Sequence, residues 1–168
     1  MLPAIKTILY ATGLSDGAPY VFRYALSLAR KHEAKIIVIH AVEPLSAFGQ
    51  SLVEQYISHQ DSEEMHSKAR QTVKAQIEER IKQLCARECN GTPGCGNPVE
   101  TIHVVEGYPA QVILQAARDC GADIIVMGAQ RHTLVGEVML GSNTRKVLQQ
   151  AEQPVFVVRV PKGTPEIL

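Results

Sequence analysis

Two glycine-containing stretches in the last third of the chain carry the residue types of an anion-binding site. Gly128 follows the apolar run Ile124–Met127, and Gly141 begins the stretch Gly141-Ser142-Asn143-Thr144. A glycine after a strand lets a ligand approach the backbone, and a helix start offers free N–H groups and the positive end of a dipole. Ser142 and Thr144 would add hydroxyl donors. The same spacing also fits an ordinary strand–turn–helix connection without a ligand, so the residues alone leave both interpretations open.

The elements around these glycines are predicted to be a strand, a helix and a second strand. The apolar run 124–127 is typical of a strand that is covered on both faces. Residues 142–144 are Ser, Asn and Thr, which we expect to cap the helix that follows. Pro154 ends that helix, and Val155 to Val158 form the second apolar strand.

The N-terminal part of the chain repeats this order of elements. Ile5 to Thr12 is predicted to be a strand, and a glycine-containing turn follows in which Ser15 or Asp16 can cap a helix. Apolar residues from Ala18 to Ala29 recur at helical spacing, and Ala34 to His40 form the next strand. A strand, a helix and a strand at this spacing predict a parallel pair with a right-handed crossover.

The middle of the chain is predicted to hold a long helix from Asp61 to Cys89, capped by Asp61 or Ser62. Its apolar stripe consists of Val73, Ile77, Ile81 and Leu84. The irregular segment from Pro44 to Gln60 has two interpretations. Its apolar residues either pack on the body as short helical turns, which we favour, or form a flap over a cleft.

The third predicted strand runs from Val99 to Val105. Pro109 fits the first turn of the helix that follows, and its buried stripe is Ala110, Ile113, Leu114 and Ala117.

Composition limits the function classes. The chain has 168 residues, 45% hydrophobic and 20% charged, which suits one domain with a proper core. Lys+Arg and Asp+Glu both number 17, so the chain lacks the basic excess of a non-specific nucleic-acid binder. No apolar run approaches the length of a membrane span, and the first residues lack the pattern of a signal peptide. We therefore expect a cytoplasmic protein that binds neither nucleic acid nor membrane.

The stretches MGAQRHTLVGEVMLGS and PVFVVR resemble the universal stress protein family, whose motif is G-x2-G-x9-G-[ST] followed by a helix and an apolar strand. Gly128 occupies the first glycine position of that motif, and Gly141-Ser142 occupy the last. Arg131 stands where the family has its middle glycine. Its guanidinium could pair with a phosphate, or its bulk could block the space that the glycine leaves open.

The resemblance extends over ILYATGLS, YALSLARKHEAKIIVIHAVEP and EGYPAQVILQAARDCGADIIVMG. It implies a bound nucleotide whose base lies between the loops that follow the first two strands. Gly13 replaces the aspartate that meets the adenosine in nucleotide-binding members. Ala41 stands where the backbone of a valine usually contacts the base.

For the fold, the resemblance implies an α/β domain with a doubly wound, five-stranded parallel sheet and helices on both faces, similar to the adenine nucleotide alpha hydrolase and Rossmann folds. We expect a single domain over residues 1–168, with residues 44–70 and 90–98 as loops or insertions. Ligands of such sheets bind at the carboxyl ends of the strands, near the point where strand order reverses.

For the function, the resemblance implies a regulatory stress-response protein that binds ATP or AMP. The expected site consists of Thr12, Gly13, Ala41, Met127, Gly128, Arg131, Gly141, Ser142, Asn143 and Thr144. With ATP, the phosphates would carry most of the coordination of Mg²⁺. No catalytic base is visible, so we expect at most weak ATP hydrolysis. The alternative, favoured by Gly13 and Arg131, is a non-nucleotide interaction protein with a degenerate site.

The resemblance also implies a homodimer that pairs through the last strand, Val155 to Val158. An apolar strand at a sheet edge invites pairing. The alternative is an edge that the C-terminal tail covers.

Three cysteines lie close together in the sequence: Cys85, Cys89 and Cys95. Their spacing is not that of a metal-binding pair, and a stable disulfide is not expected in the cytoplasm. We expect free thiols, with redox sensing as the alternative, and we expect Cys120 to be a small apolar filler.

Overall fold

The computed structural model describes residues 2–44, 51, 59–90, 96–129 and 140–161. In chain order its elements are β1 (Thr7–Ala11), α1 (Ala18–His32), β2 (Lys35–Val42), α2 (His59–Asn90), β3 (Val99–Glu106), α3 (Pro109–Asp119), β4 (Ile124–Gly128), α4 (Ser142–Gln150) and β5 (Val155–Val158).

The five strands form one parallel sheet in the order β3-β2-β1-β4-β5. The chain builds outward from β1 to β3 and then returns to the other side of β1 for β4 and β5. Strand order therefore reverses between β1 and β4, as in other doubly wound sheets. The predicted fold class is confirmed.

Two helices cover each face of the sheet, because side chains alternate between the faces along every strand. In β1, Ile8 and Tyr10 belong to the core layer beneath α1 and α2. Leu9 and Ala11 belong to the opposite layer, beneath α3 and α4. All four are buried, which explains the unbroken apolar runs of the central strands.

The start of α1 differs from the prediction. The helix begins at Ala18 after Gly17, and neither Ser15 nor Asp16 caps it through a side chain. Instead, the backbone N–H of Ala18 donates to the carbonyl of Ser15 at 2.8 Å. Pro19 in the first turn has no N–H, which removes one of the donors that a cap would satisfy.

The long helix α2 begins earlier than predicted. Residues 59–70 are helical, so they do not form the loop that was one expectation for residues 44–70, and the other expectation, an insertion, stays a prediction. No glycine or proline occurs between residues 59 and 90 to interrupt it. Asp61 and Ser62 consequently lie inside the helix and are not its caps. The interpretations of Pro44 to Gln60 and of residues 90–98 fall largely outside the described residues.

The apolar stripe of α2 is buried only in part. Ile81 lies in the core, and Ile77 and Leu84 pack against it. Val73 is 45% exposed, so the predicted stripe is wrong at this position. None of the described helices is long and apolar enough to cross a membrane.

Asp123 connects the beginnings of β1 and β4. Its Oδ2 accepts hydrogen bonds from the backbone N–H groups of Lys6 at 2.7 Å and Thr7 at 2.8 Å. Its own N–H donates to the carbonyl of Thr7 at 2.9 Å. These bonds fix the register in which Ile8 lies opposite Ile124, and that register brings the carboxyl ends of both strands to the same level.

Replacing Asp123 with alanine should lower the free energy of unfolding by about 1–3 kcal/mol, because two backbone donors at the edge of the core lose their acceptor. Asp123→Asn is the matched control, since its amide oxygen still accepts from the same groups. Urea unfolding of both variants measures the effect. Equal stability of Asp123→Ala and the original protein would contradict this role.

Candidate functional site

A cavity of about 300 Å³ opens at the carboxyl ends of the central strands. It is lined by the ends of β1, β2 and β4, by the first turns of α1, α3 and α4, and by a single residue from the segment that follows β5. Its lining residues are Tyr10, Ala11, Thr12, Gly13, Ser15, Ala18, Val21, Ile39, His40, Ala41, Glu43, Pro109, Ile113, Met127, Gly128, Ala129, Asn143, Thr144 and Val160.

The cavity brings together most of the residues that the sequence analysis selected. Those that line it are Thr12, Gly13, Ala41, Met127, Gly128, Asn143 and Thr144. Gly141 is buried at the start of α4 and Ser142 is exposed there, and neither is a lining residue. Arg131 lies outside the described residues, so its two interpretations stay predictions.

Thr12 holds the ends of β1 and β2 together. Its N–H donates to the carbonyl of Ile39 at 3.0 Å, and its own carbonyl accepts from Nδ1 of His40 at 2.8 Å. The ring of His40 therefore makes a structural hydrogen bond between the two strand ends. Because a carbonyl oxygen only accepts, Nδ1 carries the hydrogen, and Nε2 of the neutral ring is left as an acceptor.

The turn after β1 is tightly wound. Leu14 has a φ of 54°, in the left-handed region that side chains rarely adopt. The hydroxyl oxygen of Thr12 accepts a hydrogen bond from the N–H of Leu14 at 3.2 Å, which supports this turn. Backbone strain of this kind is frequent at functional sites.

Two glycines lie in the cavity wall, in different surroundings. A Cβ at Gly13 would meet no atom within 4 Å, so its position faces open space. A Cβ at Gly128 would lie 3.1 Å from Cγ2 of Val21, so this glycine lets the end of β4 approach α1 closely.

The first turn of α4 has no side-chain cap. Gly141 is the N-cap residue, and the prediction that Ser, Asn or Thr at 142–144 caps the helix is wrong. The hydroxyl of Thr144 instead donates to the carbonyl of Gly128 at 3.4 Å, which ties the helix to the end of β4. Within the described residues, the backbone N–H groups of residues 142–144 thus have no hydrogen-bond partner, and they lie beside a cavity that Asn143 and Thr144 line.

The cavity has an uneven distribution of charge. Among its lining residues within the described parts of the chain, Glu43 is the only side chain with a full charge at neutral pH. No lysine or arginine lines it there. An anion in this cavity would therefore be attracted by backbone N–H groups and the helix dipole of α4.

Sequence reasoning missed a larger part of the wall, of which Glu43 and Val160 are two examples. Glu43 follows β2 by one residue, and the rule that ligands bind at the carboxyl ends of strands could have selected it. Val160 lies beyond β5 and packs against Gly17, where a Cβ would come within 2.6 Å of Cγ2 of Val160. No local pattern predicts that contact, because it joins the two ends of the chain.

The described cysteines do not form a reactive cluster. Cys85 and Cys89 are 2% and 4% exposed, and the thiol of Cys89 donates a hydrogen bond to Oδ1 of Asn97 at 3.5 Å. Burial, and to a smaller extent the neighbouring Cys89, raises the pKa of the Cys85 thiol to about 12. Burial also raises the pKa of the half-buried Cys120 thiol. Cys95 lies outside the described residues. The described residues contain no group of three His, Cys, Asp or Glu that could hold a metal ion.

A model of the universal stress protein family matches residues 4–159. The chain belongs to the universal stress protein family. Among curated universal stress proteins, one of Thermus aquaticus is 36% identical over 154 residues, which is 92% of this chain and 98% of that protein. A second, MJ0577 of Methanocaldococcus jannaschii, is 25% identical over 92% of this chain and 94% of that protein.

Solved universal stress protein structures have the same fold. The structure of MJ0577 superposes with a TM-score of 0.72 at 21% identity, covering 95% of this chain and 99% of that chain. A universal stress protein solved in complex with cAMP superposes with a TM-score of 0.62 at 20% identity, covering 93% of this chain and 98% of that chain. At these sequence identities, the superpositions show that the chains share a fold and nothing more.

Burial should make the thiols of this universal stress protein react in a defined order. We expect iodoacetamide to alkylate Cys120 in the native protein at least about tenfold faster than Cys85 or Cys89, since Cys120 is half-buried whereas the other two thiols are almost inaccessible to the reagent. Peptide mapping by mass spectrometry measures the three rates, and unfolding in urea should make them similar. Native Cys85 that reacts as fast as Cys120 would contradict this assignment.

Proposed function

We propose that this protein binds an adenine nucleotide in the cavity and acts in the cytoplasm as a regulatory module of a stress response. The observation that carries the proposal is the start of α4, where uncapped backbone donors lie beside a cavity at the switch point of the sheet. An anion that accepts from these donors gains both hydrogen bonds and the helix dipole. Membership of the family supports the same ligand class.

The arrangement of the walls suggests the orientation of the ligand. In the proposed complex, the phosphate lies at the start of α4, next to Asn143, Thr144 and Gly128. The base lies between the ends of β1 and β2, beside Gly13 and Ala41. The apolar side chains of Ile113 and Met127, which also line the cavity, would suit an aromatic ring.

The size of the cavity favours a small nucleotide. About 300 Å³ is at the lower limit of small-molecule sites in proteins. We therefore propose AMP ahead of ATP. The relative solved with cAMP supports a monophosphate, since that protein holds a nucleotide with one phosphate. If ATP binds instead, we expect its phosphates to hold most of the Mg²⁺ coordination.

A second candidate function is an interaction protein of the same fold that binds no nucleotide. Glu43 favours it, because a carboxylate in the wall opposes the entry of an anion, and no described lining residue carries a compensating positive charge. The two functions differ in whether a nucleotide stabilises the protein.

Thermal unfolding with AMP, ATP and Mg²⁺ tests the proposal. At a hundred times the dissociation constant, a bound nucleotide should stabilise the protein by about 2.7 kcal/mol, which corresponds to a rise of about 5–10 °C in the melting temperature. Gly13→Phe should reduce the affinity at least about tenfold, because its ring would fill the open space in the cavity.

Gly96→Phe is the matched control for that variant. Gly96 also has open space at its Cβ position and a backbone outside the left-handed region, but it does not line the cavity. It should keep the affinity of the original protein. A melting temperature that no nucleotide changes would instead favour the interaction protein.

We further propose that the protein is a homodimer that pairs through β5. This strand lies at an edge of the sheet, and no other described strand pairs with its outer side. Phe156 is 37% exposed, and its ring centre lies 6.0 Å from that of Tyr24, which is 39% exposed. An edge strand flanked by exposed aromatic side chains supports association with a second copy.

Val157→Pro should convert the dimer to a monomer. The carbonyls of Pro154 and Val158 accept hydrogen bonds from β4, so the backbone groups of Val157 point away from the sheet. Proline removes an outward donor and is tolerated at such an edge. Val157→Ala retains that donor and is the control. Light scattering measures the mass of each variant, and a dimeric Val157→Pro would exclude pairing through β5.

A further inference from the structure

One face of β3 is not covered by any described helix. Ile37 and Ile39 of β2 belong to the sheet face beneath α3 and are 6% and 2% exposed. Their partners in β3 are Thr101 and His103, which are both exposed. Val105, further along the same face, is 40% exposed. Within the described residues, the helical layer on this face therefore ends above β2.

A groove of about 530 Å³ lies between this face of β3 and α3. Its floor includes Ile37, Ile39 and Val105. Its wall includes Val112 and Ala116, which lie about one turn apart on α3. Because these side chains are apolar, covering the groove with an apolar partner would be favourable.

The groove has the position of a further helix in this layer. Neighbouring packed helices lie about 8–10 Å apart, which is about two strand spacings. Since α3 packs on β1 and β2, a helix beside it would lie over β3. Its length would match that of α3, which has 11 residues and is therefore about 16 Å long.

Both ends of the groove carry a carboxylate. Glu106 ends β3 and Asp119 ends α3, and both side chains line the groove. Neither forms an ion pair with a described residue, although Oδ1 of Asp119 accepts a hydrogen bond from the amide of Gln115 at 2.6 Å. None of the described lining residues is a lysine or an arginine. The charge of the groove thus complements a partner with basic residues.

Two basic side chains lie beside the groove without lining it. Lys35 pairs with Glu100 at 2.9 Å. Arg118 donates from Nη2 to Oε1 of Gln115 at 2.9 Å. The two lining carboxylates therefore have no charged partner among the described residues.

We infer that this groove docks an amphipathic helix of about three turns from another protein, with apolar side chains against Val105 and Ala116 and basic side chains at both ends. Basic side chains about three turns apart would reach Glu106 and Asp119. The inference goes beyond the proposed function, because no nucleotide takes part in it.

The test measures binding of a fluorescein-labelled synthetic helix of about four turns, with leucines on one face and lysines towards both ends, by fluorescence anisotropy. A second peptide has glutamates in place of the lysines. Val105→Lys places a cation on the floor of the groove. Val73→Lys is the matched control, because Val73 is 45% exposed on α2 and does not line the groove. Melting temperatures establish that both variants are folded.

We expect the original protein to bind the lysine peptide at least about tenfold more tightly than the glutamate peptide. Val105→Lys should weaken binding of the lysine peptide at least about tenfold, and Val73→Lys should leave it unchanged. Glu106→Lys should reduce the preference for the lysine peptide, because it reverses the charge at one end. Glu152→Lys should keep that preference, since Glu152 is exposed and lies outside the groove.

Three results would overturn the inference: no binding of the lysine peptide, equal affinities for the two peptides, or equal effects of Val105→Lys and Val73→Lys. The other candidate occupant is a second copy of this chain. If Val105→Lys lowers the mass in light scattering and Val73→Lys does not, a second copy occupies the groove, and the inference is again overturned.

Discussion

The parallel register of β1 between β2 and β4 determines where every loop of the cavity lies. Ile8 is opposite Ile36 on one side and Ile124 on the other. A slip of one residue would turn the side chains of a strand to the wrong face, and both faces are buried. The hydrogen bonds of Asp123 at the beginning of β1 and of Thr12 at its end maintain this register. The cavity therefore depends on bonds at both ends of one strand.

Several local features that cost stability lie around the cavity. Leu14 adopts a left-handed conformation, and the start of α4 lacks a side-chain cap. Gly13 leaves a space that a side chain could fill. Elsewhere the sheet is covered on both faces, and its central strands are buried. This contrast is typical of binding sites, where unsatisfied groups and empty space are kept for a ligand.

Hydrophobic patterns were sufficient to predict the strands and most of the helix bounds, because burial on both faces produces continuous apolar runs, whereas the fold class was implied by the family resemblance. Most of the residues expected in the site also line the cavity, because they follow strands that end at the same edge of the sheet. The helix caps were predicted wrongly. Whether a side chain caps a helix depends on the backbone angles around it, and a serine such as Ser15 or Ser142 does not determine those angles alone. Glu43 follows the end of β2 and could have been selected by the same rule, whereas Val160 joins the cavity wall through a tertiary contact that has no signature in the surrounding sequence.

The contact between Gly17 and Val160 also limits how this protein can change over evolutionary time. The two residues belong to opposite ends of the chain, yet a Cβ at position 17 would overlap the side chain at position 160. A larger residue at position 17 is therefore acceptable only together with a smaller one at position 160. Close relatives should show these two positions varying as a pair, and a chimaera that joins the ends of two such proteins should inherit both positions from the same parent.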